Sequence, residues 1–151
     1  MSKLIQAPVH RHEIFAWALF DFANSGYTTV VLTAIFNAYF VGVIAQAYSS
    51  GTATLWWTIA MALANGVVLL TAPIIGAIAD DRAWKKRFLM ISASGCVGFT
   101  TLLATAGPGD VSYAMALVIL ASICFFTGEN LIAAFLPEIA TPDKMGRISA
   151  F

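Results

Sequence analysis

Residues 55–106 read LWWTIAMALANGVVLLTAPIIGAIADDRAWKKRFLMISASGCVGFTTLLATA, two long apolar runs on either side of one charged cluster, DDRAWKKR at 80–87. A bilayer's hydrocarbon core takes about 20 apolar residues of helix, so each run is long enough to cross it and the cluster is a turn at the membrane surface. The pattern continues in both directions. Phe15 to Ala45 is apolar upstream, and Val111 to Leu136 downstream. With Leu55 to Ala79 and Phe88 to Ala106 these make four expected spans, joined by YSSGTAT (48–54), DDRAWKKR and GPGD (107–110) and followed by PEIATPDKMGRISAF (137–151). The expected fold class is an all-α integral membrane protein with four transmembrane helices. The first window exceeds what a span needs, so it tilts or begins as an interfacial helix.

Composition agrees. The chain has 151 residues, 60% of them hydrophobic and 11% charged, with a mean hydropathy of +0.82. Soluble domains are about half apolar and a quarter charged, so a water-soluble globule and a disordered chain are both excluded, and the lipid bilayer is the first expected partner. Eight basic residues balance eight acidic ones, which leaves no electropositive footprint for nucleic acid. Cys96 and Cys124 lie within apolar runs, where a thiol is usually a small hydrophobe; they suggest neither a disulfide framework nor a metal motif. The N-terminus carries positive charge ahead of an apolar run, as a signal peptide does. That run is too long for one and holds Asp21, so it reads as a span.

Orientation follows from the basic residues. Lys3 and Arg11 precede the first span, Arg82, Lys85, Lys86 and Arg87 lie between the second and third, and Lys144 and Arg147 follow the fourth. All eight fall on one side, and by the positive-inside rule both termini and the DDRAWKKR turn are expected in the cytoplasm. Trp17, Tyr48, Trp56, Trp57, Trp84 and Tyr113 fall near span ends, the depth at which amphipathic rings settle.

Polar residues inside the runs are the functional candidates. Asp21 shares a helical face with Asn24, Ser25 and Thr28, and a polar stripe in lipid has to face protein or water. Glu129 has an apolar face of its own, with Ser122, Phe125, Phe126, Ile132 and Ala133, so its partner has to come from another helix. Asp21 stands six residues in from Phe15 and Glu129 seven from Leu136, which puts both roughly 10 Å inside the same surface. The plainer readings are a hydrated interfacial Asp21 and a Glu129 fixed by a structural hydrogen bond. Asn65, in mid-span, is expected to hydrogen-bond across helices as a packing residue. Ala62 with Gly66, and Ser94 with Gly98, are small pairs that permit close helix approach. His10 and His12 lack further ligands, so no metal or other cofactor is expected, and no nucleophile–base pair points to an enzyme.

In the turn, Gly76 stands one helical turn before Asp80, with Arg82, Lys85, Lys86 and Arg87 following. Read plainly, this is a positive-inside anchor, in which Asp80 can face the amides of a neighbouring helix end. The same arrangement resembles the signature loop of the major facilitator superfamily of secondary transporters, with Asp81 where a basic residue is common and Ala83-Trp84 where glycine is usual. WALFDFANSGYTTVVLTAIFNAYF (17–40), GAIADDRAWKKRFL (76–89) and AFLPEIATPDKMGRISAF (134–151) together resemble the branch named for the fungal vacuolar amino-acid effluxer of autophagy, which has bacterial members.

The resemblance implies a fold of twelve spans in two six-helix halves, each made of two inverted three-helix repeats. The chain then corresponds to the first third of that fold, an N-terminal fragment whose partners are the missing C-terminal spans or another copy, with 137–151 leading toward a fifth span. It implies secondary transport of a small-molecule substrate, with amino-acid-like efflux and proton coupling, in a bacterial inner membrane. It also implies that the first and fourth helices border the central cavity, where Asp21 and Glu129 share protons or meet a cationic group. The alternative reading is a complete four-span protein that dimerises as a small cation or drug exporter.

Overall fold

The computed structural model describes residues 24–81 and 84–139, with Phe15, Leu19 and Phe22 ahead of them; for 80–81 and 135–139 it describes the backbone only. Among these residues every regular element is helical. Helix α1 spans Asn24–Ile44, α2 Ser50–Asp81, α3 Lys85–Leu103 and α4 Val111–Ile139.

Helix α1 is wound unevenly. Thr28–Ala34 and Phe40–Ile44 are π-helical, with a short α segment, Ile35–Tyr39, between them. The sequence supplies a cause in TTVVLT (28–33), a β-branched stretch whose hydroxyls compete for backbone carbonyls. Thr29 Oγ1 donates to the Ser25 carbonyl at 3.1 Å, and Thr33 Oγ1 reaches five residues back to Thr28 O at 2.8 Å. That reach matches the wider π turn.

The connections are short and tied down. Ser49 Oγ accepts the Thr52 N–H at 3.3 Å and starts α2. Pro73 sits inside α2, where it removes one helical hydrogen bond. In the turn between α3 and α4, the Asp110 carboxylate accepts the Gly107 N–H at 3.0 Å, Gly109 takes φ 92°, and the Gly109 N–H donates to the Ile44 carbonyl at 2.9 Å. The positive φ is why glycine stands at 109.

Helix α4 is central and packs most extensively on α3 and α2. The buried core gathers at the end of the bundle opposite the basic turn: Val31, Phe40, Ile44 and Ala45 from α1 and its end, Ala53 and Trp57 from α2, Leu103 and Ala106, and Ala114, Leu117 and Val118 from α4. Phe40, Ile44, Val118 and Ser122 are the largest wholly buried side chains. Helix α2 meets its neighbours through Ala53, Trp57, Ala60, Ala64 and Val68, mostly small residues at spacings of three and four. Between α3 and α4 the approach is closer still, since a Cβ on Gly95 would lie 2.8 Å from Cys124 Sγ, and one on Gly128 3.8 Å from Ser92 Cβ.

The structure adjusts several expectations. Among the described residues, three helices are long and apolar enough to cross a membrane by length and composition, Asn24–Ile44, Ser50–Ala79 and Val111–Ala134, which match three of the four expected spans. Helix α3 falls short because its first turn is Lys85-Lys86-Arg87 and because Ser92, Ser94, Gly95 and Gly98 dilute the apolar residues beyond it. Helix α4 continues to Ile139, beyond the apolar window that ends at Ala134. Trp57 is no interfacial ring; it packs in the core, 5.5 Å from the Phe40 ring and 6.2 Å from Phe36. Ala62, Ser94 and Gly98 are exposed, and the close seam uses Ser92 and Gly95 instead.

Candidate functional site

Below the packed end, toward the basic turn, polar side chains from three helices draw together around α4. Asn24 Nδ2 on α1 donates to Glu129 Oε1 on α4 at 3.2 Å, across 105 residues of sequence. Two turns along α4, the Tyr27 hydroxyl and the wholly buried Ser122 hydroxyl lie 3.2 Å apart, and the Tyr27 ring stacks on Phe125 with centroids 4.6 Å apart. Asn24 and Tyr27 are three residues apart on one face of α1, so both bonds clamp the same pair of helices.

Two cavities flank this clamp. One of about 460 Å³ lies between α1, α3 and α4, with Asn24, Tyr27, Cys96, Thr100, Cys124 and Phe125 in its wall. The other, of about 540 Å³, lies between α2 and α4 and is walled by Asn65, Leu69, Pro73, Phe126, Glu129 and Asn130 among others. The Asn24–Glu129 bond therefore joins a residue of the first cavity to a residue of the second. A carboxylate and two amides facing apolar walls can hold a cation or an ammonium group and orient it by hydrogen bonds.

The sequence candidates fall unevenly on this geometry. Asn24 and Glu129 are brought together directly, and Asn65 joins Glu129 in the second cavity. The expected interhelical bond of Asn65 is replaced by a local one, Nδ2 to the Met61 carbonyl at 2.8 Å, because a mid-helix amide can reach the carbonyl one turn back. Asp21 and Arg82 lie outside the described residues, as do His10 and His12. Gly76 is half-buried with open space around it, and Asp80 lies in the last turn of α2, its side chain outside the description. Lys85, Lys86 and Arg87 form the first turn of α3, where the Arg87 guanidinium stands 5.6 Å from the Trp84 ring centre.

Tyr27, Ser122 and Pro73 were not legible as site residues. Tyr27 and Ser122 read as ordinary members of apolar runs, and only the register of α1 on α4 makes them a pair. Pro73 carries a usable signal, since a proline within an apolar span frees a backbone carbonyl.

Comparison with known proteins places the chain. The family model described as "Vacuole effluxer Atg22 like" matches residues 41–149. An uncharacterized MFS-type transporter, YxiO of Bacillus subtilis (strain 168), is 31% identical over 137 residues, which cover 89% of this chain and 32% of that protein. The chain thus spans about a third of the length of the curated relative it matches. No solved structure matches it.

Proposed function

Because the chain belongs to the vacuole effluxer Atg22 like family, membrane transporters of the major facilitator type, we propose that it serves secondary active transport of a small solute. Amino-acid-like efflux is the substrate class and direction, and proton coupling is the drive. The chain supplies the first four spans of the carrier, with α3 as the third crossing despite its charged first turn, and the remaining spans come from the rest of a twelve-helix fold. Its termini and basic turn face the cytoplasm, at a bacterial inner membrane. Of the two functional readings, family membership favours the carrier over the dimerising exporter.

The Asn24–Glu129 bond supports this reading most. It sets an ionisable group between two cavities, on a contact between the first and fourth helices that the Tyr27–Ser122 pair also holds. Intramembrane acids are costly to keep and mark ion or substrate paths. When Glu129 is charged it holds Asn24 strongly, and when it is protonated or its charge is taken up by a cation the bond weakens; the occupancy of the site is thereby tied to the separation of two helices. Asp21, one turn before Asn24 in sequence, belongs to the same path.

Glu129→Gln in the full-length carrier, reconstituted in vesicles, tests this. The variant keeps the side-chain shape and can still pair with Asn24 but cannot change charge. Solute should still bind, while gradient-driven accumulation is lost. Accumulation and pH dependence equal to the parent would remove Glu129 from the mechanism. Asp80→Asn should impair transport more than Lys85→Ala, because one carboxylate at a helix end has no substitute while neighbouring cations back one another up. Equal, small effects would reduce the turn to an anchor. For sidedness, an impermeant thiol reagent on intact cells should label Ser50→Cys and leave Lys86→Cys untouched; the reverse pattern overturns the topology.

A further inference from the structure

Helix α3 begins with three consecutive cations and then, within 92–101, lines the cavity between α1, α3 and α4. At about 100° per residue, Lys86 stands within about 20° of both Ala93 and Val97, so one face of α3 carries an exposed cation at its start and the cavity wall beyond it. Arg87 is exposed as well, its guanidinium 5.6 Å from the Trp84 ring centre, and the first turn of α3 holds no acid. The turn as a whole, DDRAWKKR, has four bases against two acids. The cavity wall contains no charged residue, and most of its polar groups are engaged. Asn24 bonds to Glu129 and Tyr27 to Ser122, the Thr101 hydroxyl donates to the Val97 carbonyl at 2.7 Å, and the Thr100 hydroxyl is buried beside the Cys96 thiol. What faces the cavity is therefore mainly apolar, with Val30, Val97, Phe125 and the thiols of Cys96 and Cys124.

We infer that one anionic phospholipid binds along α3, its headgroup phosphate between Lys86 and Arg87 and an acyl chain in the cavity between α1, α3 and α4. Lys86 and Arg87 meet a phosphate through charge-assisted hydrogen bonds, and Trp84 beside them is a ring of the kind that settles at headgroup depth. A hydrocarbon core of about 30 Å gives each chain about 15 Å, and ten residues of helix rise that far, so a chain hanging from Lys86 reaches the level of Cys96. A cavity of about 460 Å³ whose wall has no charge suits such a chain, whereas a charged solute would lie there unpaired. Charge at the surface and apolar volume below it are thus matched by a single molecule. Its binding neutralises the start of α3, the helix whose apolar content falls short of a span among the described residues, and holds that helix at its depth. The inference does not depend on which solute the carrier moves.

Native mass spectrometry of the full-length carrier in detergent, titrated with dioleoyl-phosphatidylglycerol or dioleoyl-phosphatidylcholine, tests it, because the two lipids share their chains and differ in charge. Phosphatidylglycerol is expected to bind at one site at least about tenfold more tightly. Lys86→Gln should weaken it about fivefold, the effect of one cation near an anionic headgroup, and leave phosphatidylcholine unchanged. Val97→Trp fills the cavity from a position that is 67% exposed and should weaken both lipids, while unfolding at the parent's temperature when no lipid is added. Bound phosphatidylglycerol should also slow the modification of Cys96 and Cys124 by N-ethylmaleimide, read by peptide mass. Should Val97→Trp unfold earlier than the parent, Lys86→Gln and the thiol readout decide. Equal binding of the two lipids, phosphatidylglycerol affinity unchanged by Lys86→Gln or by a stable Val97→Trp, or thiols modified at the same rate with lipid bound, overturns the inference. A dimer that seals the cavity, or further spans that cover it, with no phospholipid bound, overturns it too.

Discussion

The two ends of the bundle are held by different physics. At the end away from the basic turn, Phe40, Ile44, Ala53, Trp57, Leu117 and Val118 interlock with almost no polar atom among them. Nearer the basic turn the same helices are joined by two side-chain bonds, Tyr27 with Ser122 and Asn24 with Glu129, beside two cavities. Lipid is as apolar as the core, so the packed end gains from close fit rather than from escaping water. Close fit is short-ranged and has one geometry, while a single hydrogen bond beside open volume is readily remade. The difference assigns stability to one end and change to the other.

Removing mass from the packed end should have the largest effect. Phe40→Ala leaves a void where a wholly buried ring stood and should cost about 3 kcal/mol in the unfolding of purified protein in micelles followed by circular dichroism. Overfilling the seam between α3 and α4 comes next. In Gly95→Leu even the Cβ would meet Cys124 Sγ at 2.8 Å, and the helices must move apart at about 2 kcal/mol in the same assay. A Tyr27→Phe exchange keeps the stack on Phe125 but deprives the Ser122 hydroxyl of its partner, for about 1 kcal/mol. If it cost as much as Phe40→Ala, the contrast between the ends would fail. Asn24→Ala should cost only about 0.6 kcal/mol, the average for interhelical bonds in membranes, yet impair transport well beyond that loss. A variant that transports normally would leave the polar end structural. Lys85→Ala, at the start of α3, should shift stability by less than about 0.5 kcal/mol.

How much of this was legible in the sequence depends on the range of the interaction. Helices and turns are local, so hydropathy and the GPGD and YSSGTAT breaks locate α1, α2 and α4, and the basic cluster locates the start of α3. An apolar window that begins at Phe88, just past the charges, hides what that cluster takes from the apolar character of α3. The contact between Asn24 and Glu129 depends on the register of helices more than a hundred residues apart, which no period within one helix encodes. Sequence places an acid on α4 with an apolar face and requires a partner from elsewhere; it cannot choose among helices. Trp57 shows the same limit from the apolar side. Two adjacent tryptophans near a span end look alike in sequence, and only the angle of about 100° between them sends Trp57 to Phe40 and leaves Trp56 exposed.

The Gly109 N–H bound to the Ile44 carbonyl gives α1 a fulcrum. That bond and the core around Ile44 pin the far end of the helix to the turn entering α4, so any relative rotation of the two helices has its axis there. From Ile44 to Asn24 the lever arm is roughly 30 Å, somewhat less where π turns shorten the rise. A tilt of about 10° about the pinned end carries Asn24 through roughly 5 Å, enough to part it from Glu129, while Phe40, about 6 Å from that end, moves only about 1 Å. A small angular change at the sealed end is thus multiplied into the making or breaking of one bond at the other.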